Sequence, residues 1–109
     1  FPAWLAPVQL VVLPVSEAQA LHAEAFVERC AAQGLRAEFA GPEHGSLGAR
    51  VRAARLVPYQ VVIGAKEAAD GQVALRLRDG RRVGPLPAGE VLARVGALVS
   101  AYGTELWDR

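Results

Sequence analysis

The chain has a single lysine, Lys66, and a carboxylate follows it directly, Glu67. Both come just after Val57-Pro58-Tyr59-Gln60-Val61-Val62-Ile63-Gly64, an apolar run rich in β-branched residues and closed by glycine. Such a run has the pattern of a strand buried on both faces. In open α/β sheets, ligands gather beyond the carboxyl ends of strands. A cation and an anion placed there can hold a charged or hydrogen-bonding ligand, although the same pair also suits a solvated turn. A second group is arginine alone: Arg76, Arg78, Arg81 and Arg82 surround Asp79-Gly80, and Arg50, Arg52 and Arg55 lie in one short basic stretch. Arginine donates two parallel hydrogen bonds to a phosphate or to a guanine edge. A carboxylate such as Glu67 can accept from the amine and imino groups of guanine. Unpaired bases in RNA loops expose these edges, whereas A-form duplexes hide them. The hairpin arginines fit equally well a charged sheet edge that resists aggregation.

Other chemistries find little support. His22 and His44 are far apart and lack a Cys or carboxylate at ligand spacing, so no metal site is expected. Cys30 falls on an apolar helix face, where a free cysteine is a small core residue. Pro14-Val15-Ser16-Glu17 is no phosphate-cradling glycine loop. Asp70, Asp79 and Asp108 are not at parallel-strand ends, which excludes a receiver-type phosphoacceptor. No paired carboxylates suggest general acid–base catalysis. Net charge is only +1, so a nucleic-acid partner needs a local basic patch. With 109 residues, 52% of them hydrophobic, the chain is one domain with a real core. It has no run of membrane-span length. The opening residues lack a signal-peptide pattern and an initiator Met, which suggests a trimmed chain or a segment of a longer one. A lone cysteine fits a reducing, cytoplasmic setting.

Elements that would position these groups follow in order. Gln9 to Pro14 reads as a central parallel strand. Ser16 and Gln19 form a capping box for a helix running to about Gln33, with Gly34 as its C-cap. Leu35 to Phe39 alternates as a second strand, and 40–47 is a loop. Gly48 to Leu56 reads as a short basic helix and leads into the strand described above. Gln72 to Leu77 alternates, Asp79-Gly80 signals a hairpin, and Arg82 to Pro85 returns. Glu90 to Tyr102 carries an apolar stripe through Val91, Leu92, Val95, Leu98, Val99 and Tyr102, and is a closing helix. This order indicates an α/β sandwich. Right-handed crossovers place the first strand between the second and third, which puts Lys66 and Glu67 at the lip of the switch point, with loop 40–47 at the same edge.

Three segments resemble one family. Phe1-Pro2-Ala3-Trp4-Leu5-Ala6-Pro7-Val8-Gln9 is similar to the segment that joins the catalytic and C-terminal domains of threonyl-tRNA synthetases. Val57-Pro58-Tyr59 with Gly64-Ala65-Lys66-Glu67 resembles their V-P-Y and G-D-K-E, and Gly71 to Gly80 resembles their G-K-V-A-V-R-x-R-x-G. The similarity runs to about Tyr102. It implies an anticodon-binding domain: a three-layer α/β sandwich with a mixed five-stranded sheet flanked by three helices. Residues 1–8 would be the linker and 9–109 the domain. Lys66, Glu67 and Arg76 fall on the family's base-reading positions. Arg50 and Arg52 match a family K-I-R and would hold the RNA backbone. The partner implied is the anticodon loop of threonine tRNA, and the parent is a homodimer. ATP, metal and threonine would bind upstream, so no cofactor and no catalytic residue are expected in this segment.

The chain departs from the family in places. Ala40 to Gly48 replaces an acidic and basic loop, with only the final glycine aligning. Leu56 stands where the family has arginine before V-P-Y, and Ala65 replaces the Asp. These changes leave open a second reading, a protein-interaction or dimerisation module descended from the same domain. Salt dependence separates the two: RNA binding weakens steeply as salt rises, and an apolar interface does not. A small-ligand domain using the switch-point crevice is a third and weaker reading.

Overall fold

The computed structural model describes residues 2–107. Phe1, where the expected linker begins, and Asp108 lie outside them. The sheet is built from β1 (Leu10–Pro14), β2 (Ala37–Phe39), β3 (Tyr59–Ile63), β4 (Gln72–Leu77) and β5 (Arg82–Pro87). Its order is β2-β1-β3-β4-β5. β1 lies parallel between β2 and β3, as the right-handed crossovers require. β4 and β5 extend the sheet antiparallel, β4 on β3 and β5 on β4. The sheet is therefore mixed and five-stranded, as expected.

Four α-helices flank it: α1 (Ala20–Ala32), α2 (Leu47–Ala53), α3 (Ala65–Asp70) and α4 (Ala88–Ser100). The expectation was three. The additional one, α3, contains Lys66 and Glu67, which stand in a helix's first turn and not in a loop. Other boundaries shift modestly. A 3₁₀ turn over Glu17–Gln19 precedes α1, and another over Pro42–His44 lies inside the expected loop. The Gln19 side chain accepts from both the backbone N–H and the hydroxyl of Ser16.

One face of the sheet holds the main core. Leu10, Val12, Tyr59, Val61, Ile63, Val73, Leu75 and Leu77 meet Ala23, Phe26 and Cys30 of α1 and Val91, Leu92 and Val95 of α4. The strict period of two in β4 delivers Val73, Leu75 and Leu77 to this side and leaves Ala74 and Arg76 on the other. Cys30 is fully buried, and burial pushes its thiol up to about 11. It is a core residue, as its place on the helix face suggests.

Segments at both ends of the described residues pack on this body. Gln9 donates to the Ala3 carbonyl at 3.0 Å, and Arg36 donates to the carbonyls of Trp4 and Ala6. Trp4 meets the Tyr102 ring edge-on at 5.1 Å. Beyond α4, Leu106 and Trp107 are buried. The Tyr59 hydroxyl donates to the Leu106 carbonyl at 2.6 Å, and the Arg94 guanidinium lies 4.3 Å over the Trp107 ring. Sequence patterning stops at Tyr102 and does not reveal this closing segment.

Candidate nucleic-acid interface

The second face of the sheet is covered unequally. α2 sits over β1 and leaves part of β3 and β4 open. The result is a cleft of about 500 Å³ whose floor is Gln60 and Val62 of β3 and Arg76 of β4, with Val51, Arg52 and Arg55 on the α2 side. Arg78 completes a set of four arginines, and no carboxylate lines the cleft. Its electrostatics are therefore of one sign even though the whole chain is nearly neutral. Neither Arg52 nor Arg76 has an ion-pair partner among the described residues. Two unpaired guanidinium forks in a concave, partly apolar site suit phosphates and base edges.

A larger concavity, about 770 Å³, lies at the hairpin edge beside the C-terminal segment. It is less suited to an anion. Asp79 and Glu105 line it. Arg81 is paired to Asp79, with Nε 2.9 Å from Oδ2. The Arg81 backbone N–H donating to Asp79 Oδ1, with that pairing as a lesser contribution, holds the Asp79 carboxyl below its ordinary range. Arg81 is therefore already neutralised within the hairpin.

Arg50 behaves unlike its neighbour Arg52. It is 3% exposed. Its guanidinium donates to the carbonyls of Pro14 (2.6 Å), Gly45 (2.9 Å), Ala40 (3.0 Å) and Val15 (3.3 Å). These ties bind α2 and the 40–47 loop to the end of β1. Residues two apart on a helix point about 200° apart, so Arg50 and Arg52 cannot both face the same groove. The expectation that Arg50 would lie against RNA meets a side chain turned inward, with its donors engaged by backbone.

Lys66 and Glu67 stand at the carboxyl end of β3. Glu67 Oε1 accepts from the Gly64 backbone N–H at 2.8 Å and caps α3. That satisfies one of the orphan donors at a helix start. Glu67 lines a separate small hollow with His22 and Arg29. Lys66 is exposed. Arg76 is paired with Gln60 in the β3–β4 ladder, three residues before Ile63, or roughly 10 Å along the strand. The structure thus brings Arg52 and Arg76 into one cleft, whereas Lys66 and Glu67 do not line it and stand beyond the carboxyl end of β3. Sequence reasoning includes Arg55 and Arg78 among the candidate arginines without giving either a base-reading position, and it does not single out Gln60. The alternation of β3 is the available signal: Tyr59, Val61 and Ile63 face the core, so Gln60 must face away from it.

No group of three or more metal-ligating side chains occurs among the described residues, and no helix among them is long and apolar enough to cross a membrane.

Comparison with known proteins places this geometry. Residues 9–98 match the family model described as "Anticodon binding domain". The threonine–tRNA ligase of Dechloromonas aromatica is 42% identical over 96 residues, which is 86% of this chain and 15% of the ligase. That of Thermus thermophilus is 45% identical over 89 residues, 80% of this chain and 13% of the ligase. The chain thus spans about a seventh of these relatives. The RNA-binding domain of threonyl-tRNA synthetase from Cryptosporidium parvum superposes with a TM-score of 0.82 at 26% identity, covering 96% of this chain and 26% of that one. Prolyl-tRNA synthetase from the same organism, at 17% identity, has a TM-score of 0.81 over 93% of this chain and 23% of its own, and shares the fold.

Proposed function

The chain belongs to the anticodon-binding domain family, and from that premise we propose that its four-arginine cleft receives the anticodon loop of a tRNA, that of threonine tRNA in particular. The observation that supports this most is the cleft itself: Arg52, Arg55, Arg76 and Arg78 around an open sheet face with no carboxylate. Arg76 and Arg52 donate to phosphates or base edges there. Lys66 and Glu67 contact nucleotides farther along the loop, where Lys66 is exposed and Glu67 keeps its second carboxylate oxygen for a base donor. Arg50 acts indirectly. It fixes the 40–47 loop and α2, and thereby the position of Arg52.

The curated relatives are ligases that this chain matches over a fraction of their length. On that basis residues 1–8 are a linker, and 9–109 position tRNA for threonylation by a catalytic domain elsewhere in a cytoplasmic, homodimeric parent. An interaction module that has lost RNA is the less favoured reading, since it gives no reason for a cleft lined by unpaired arginines.

The test is binding of the chain to a threonine-tRNA anticodon stem-loop, beside the same loop with its second and third anticodon bases changed, at two salt concentrations. Tighter binding to the native loop, weakening as salt rises, is the expected result. Equal affinity for both loops, or affinity insensitive to salt, would count against anticodon reading.

A further inference from the structure

Gln60 lies on β3 beside Arg76 in the ladder, and it lines the cleft. It is 6% exposed. Its Nε2 donates to the Val51 carbonyl at 3.0 Å. Val51 is in the last turn of α2, where carbonyls have no partner further along the helix. The bond therefore has two consequences. It ties the end of α2 to the sheet, and it fixes the orientation of the amide, because the reverse orientation would set oxygen against oxygen. Gln60 Oε1 is left as the acceptor. It is the one buried side-chain polar atom among the described residues without a hydrogen-bond partner. Buried acceptors are satisfied in the great majority of folded proteins, so such an atom calls for an explanation.

The charged side chains of the cleft are all donors, yet none of them bonds Oε1. Each guanidinium is donor-only, and four of them line the walls. A phosphate satisfies the arginines but offers Oε1 nothing, since it is all acceptor. A nucleobase edge offers both kinds of group: an amino or imino N–H for Oε1, and a neighbouring ring nitrogen or carbonyl for an arginine. We infer that Gln60 is a base-reading residue of the cleft, accepting a hydrogen bond from a nucleobase N–H while the adjacent Arg76 donates to the same base. This rests on the anticodon-loop reading above. It adds the acceptor that an all-arginine site needs to distinguish a base from a phosphate.

The test uses Gln60→Met and Gln60→Glu in the 109-residue chain. Each is bound to the threonine-tRNA anticodon stem-loop and to stem-loops made abasic at each loop position in turn. Circular dichroism melts check that both variants fold. Met fills the same space without an acceptor, whereas Glu keeps an acceptor and loses the bond to Val51. One hydrogen bond is worth about a fivefold preference. Gln60→Met is expected to weaken the intact loop about fivefold and to have no further effect when one particular position is abasic. Gln60→Glu is expected to retain the preference for a base at that position. An equal loss on every loop for both variants, or no loss at all, would show that Gln60 only caps α2 and would overturn the assignment. If the unsubstituted chain itself binds the intact and abasic loops alike, base reading by the cleft fails as a whole, and this inference fails with it.

Discussion

Replacing Arg50 by Met separates architecture from RNA contact. Met keeps much of the aliphatic stem and removes the guanidinium, which orphans four carbonyl acceptors. A buried carbonyl left without a partner costs about 1–3 kcal/mol. Only the Pro14 carbonyl takes its bond in a fully buried setting; the other three bonds are partly buried, and water can replace much of what is lost. One full penalty and three fractional ones come to roughly 3–5 kcal/mol. Against this, the substitution removes a buried cation that has no carboxylate beside it, and relief of its desolvation returns part of the loss. The net expectation is a destabilisation of about 2–4 kcal/mol, a large share of a small domain's total of about 5–15 kcal/mol. Urea unfolding reads it directly. RNA binding by the folded fraction supplies the second arm. A single-stranded phosphate contact contributes about 0.7 to the slope of log affinity against log salt. Arg50→Met should leave that slope unchanged, while Arg52→Met and Arg76→Met should each lower it wherever they meet a phosphate. A variant at Arg50 that keeps its stability but loses about 0.7 of the slope would refute the positioning role.

Other perturbations follow from the same geometry. Burial raises the Tyr59 hydroxyl to about 12 from 10.0. The unfolded chain therefore loses this proton first, so the associated stability is intact below pH 10 and is lost as pH rises toward 12. At about 1.4 kcal/mol per unit, up to roughly 3 kcal/mol is at stake. Tyr59→Phe should flatten the alkaline part of a stability–pH curve while costing about 1 kcal/mol at neutral pH for the lost bond to Leu106. Gly84 has φ of +92°, and a Cβ there would lie 2.9 Å from the Leu86 nitrogen and 3.1 Å from the Val73 carbonyl oxygen. Gly84→Ala should cost about 2 kcal/mol or more and lower the melting temperature by about 10 °C, seen by calorimetry. Glu67→Ala should cost about 1 kcal/mol by removing the α3 cap, and should weaken the cognate anticodon loop more than a mismatched one; equal loss on both would deny Glu67 a part in base reading.

Much of the fold was legible because the relevant residues carry local patterns. β1 is buried along its whole length and β3 nearly so, and both read as runs dominated by apolar residues. α4 shows its stripe through Val91, Leu92 and Val95, and the order of strands follows from crossover handedness. The misses have equally physical causes. α3 is six residues, three of them alanine, too short for a 3.6 period to show. Only Gly64 with Glu67 three residues on, and Gly71 beyond the end, mark its limits. Leu106 and Trp107 form an isolated apolar pair whose partners, Tyr59 and Arg94, are far away in sequence. The inward turn of Arg50 is settled by long-range carbonyls from Pro14 and Val15, which no local pattern reveals. At the site, the arginines and their hairpin were visible as residue types. Their gathering on the uncovered half of one sheet face depends on how far α2 extends, and that is a tertiary property.

Which face of the sheet meets RNA decides between these readings. Backbone amide shifts of the labelled chain, titrated with a threonine-tRNA anticodon stem-loop, test it most directly. The prediction is that the largest changes fall on Arg52, Arg55, Gln60, Arg76 and Arg78, with smaller ones at Lys66 and Glu67. Changes confined to the hairpin edge around Asp79 and Glu105, or to the outer surface of α1, would contradict it.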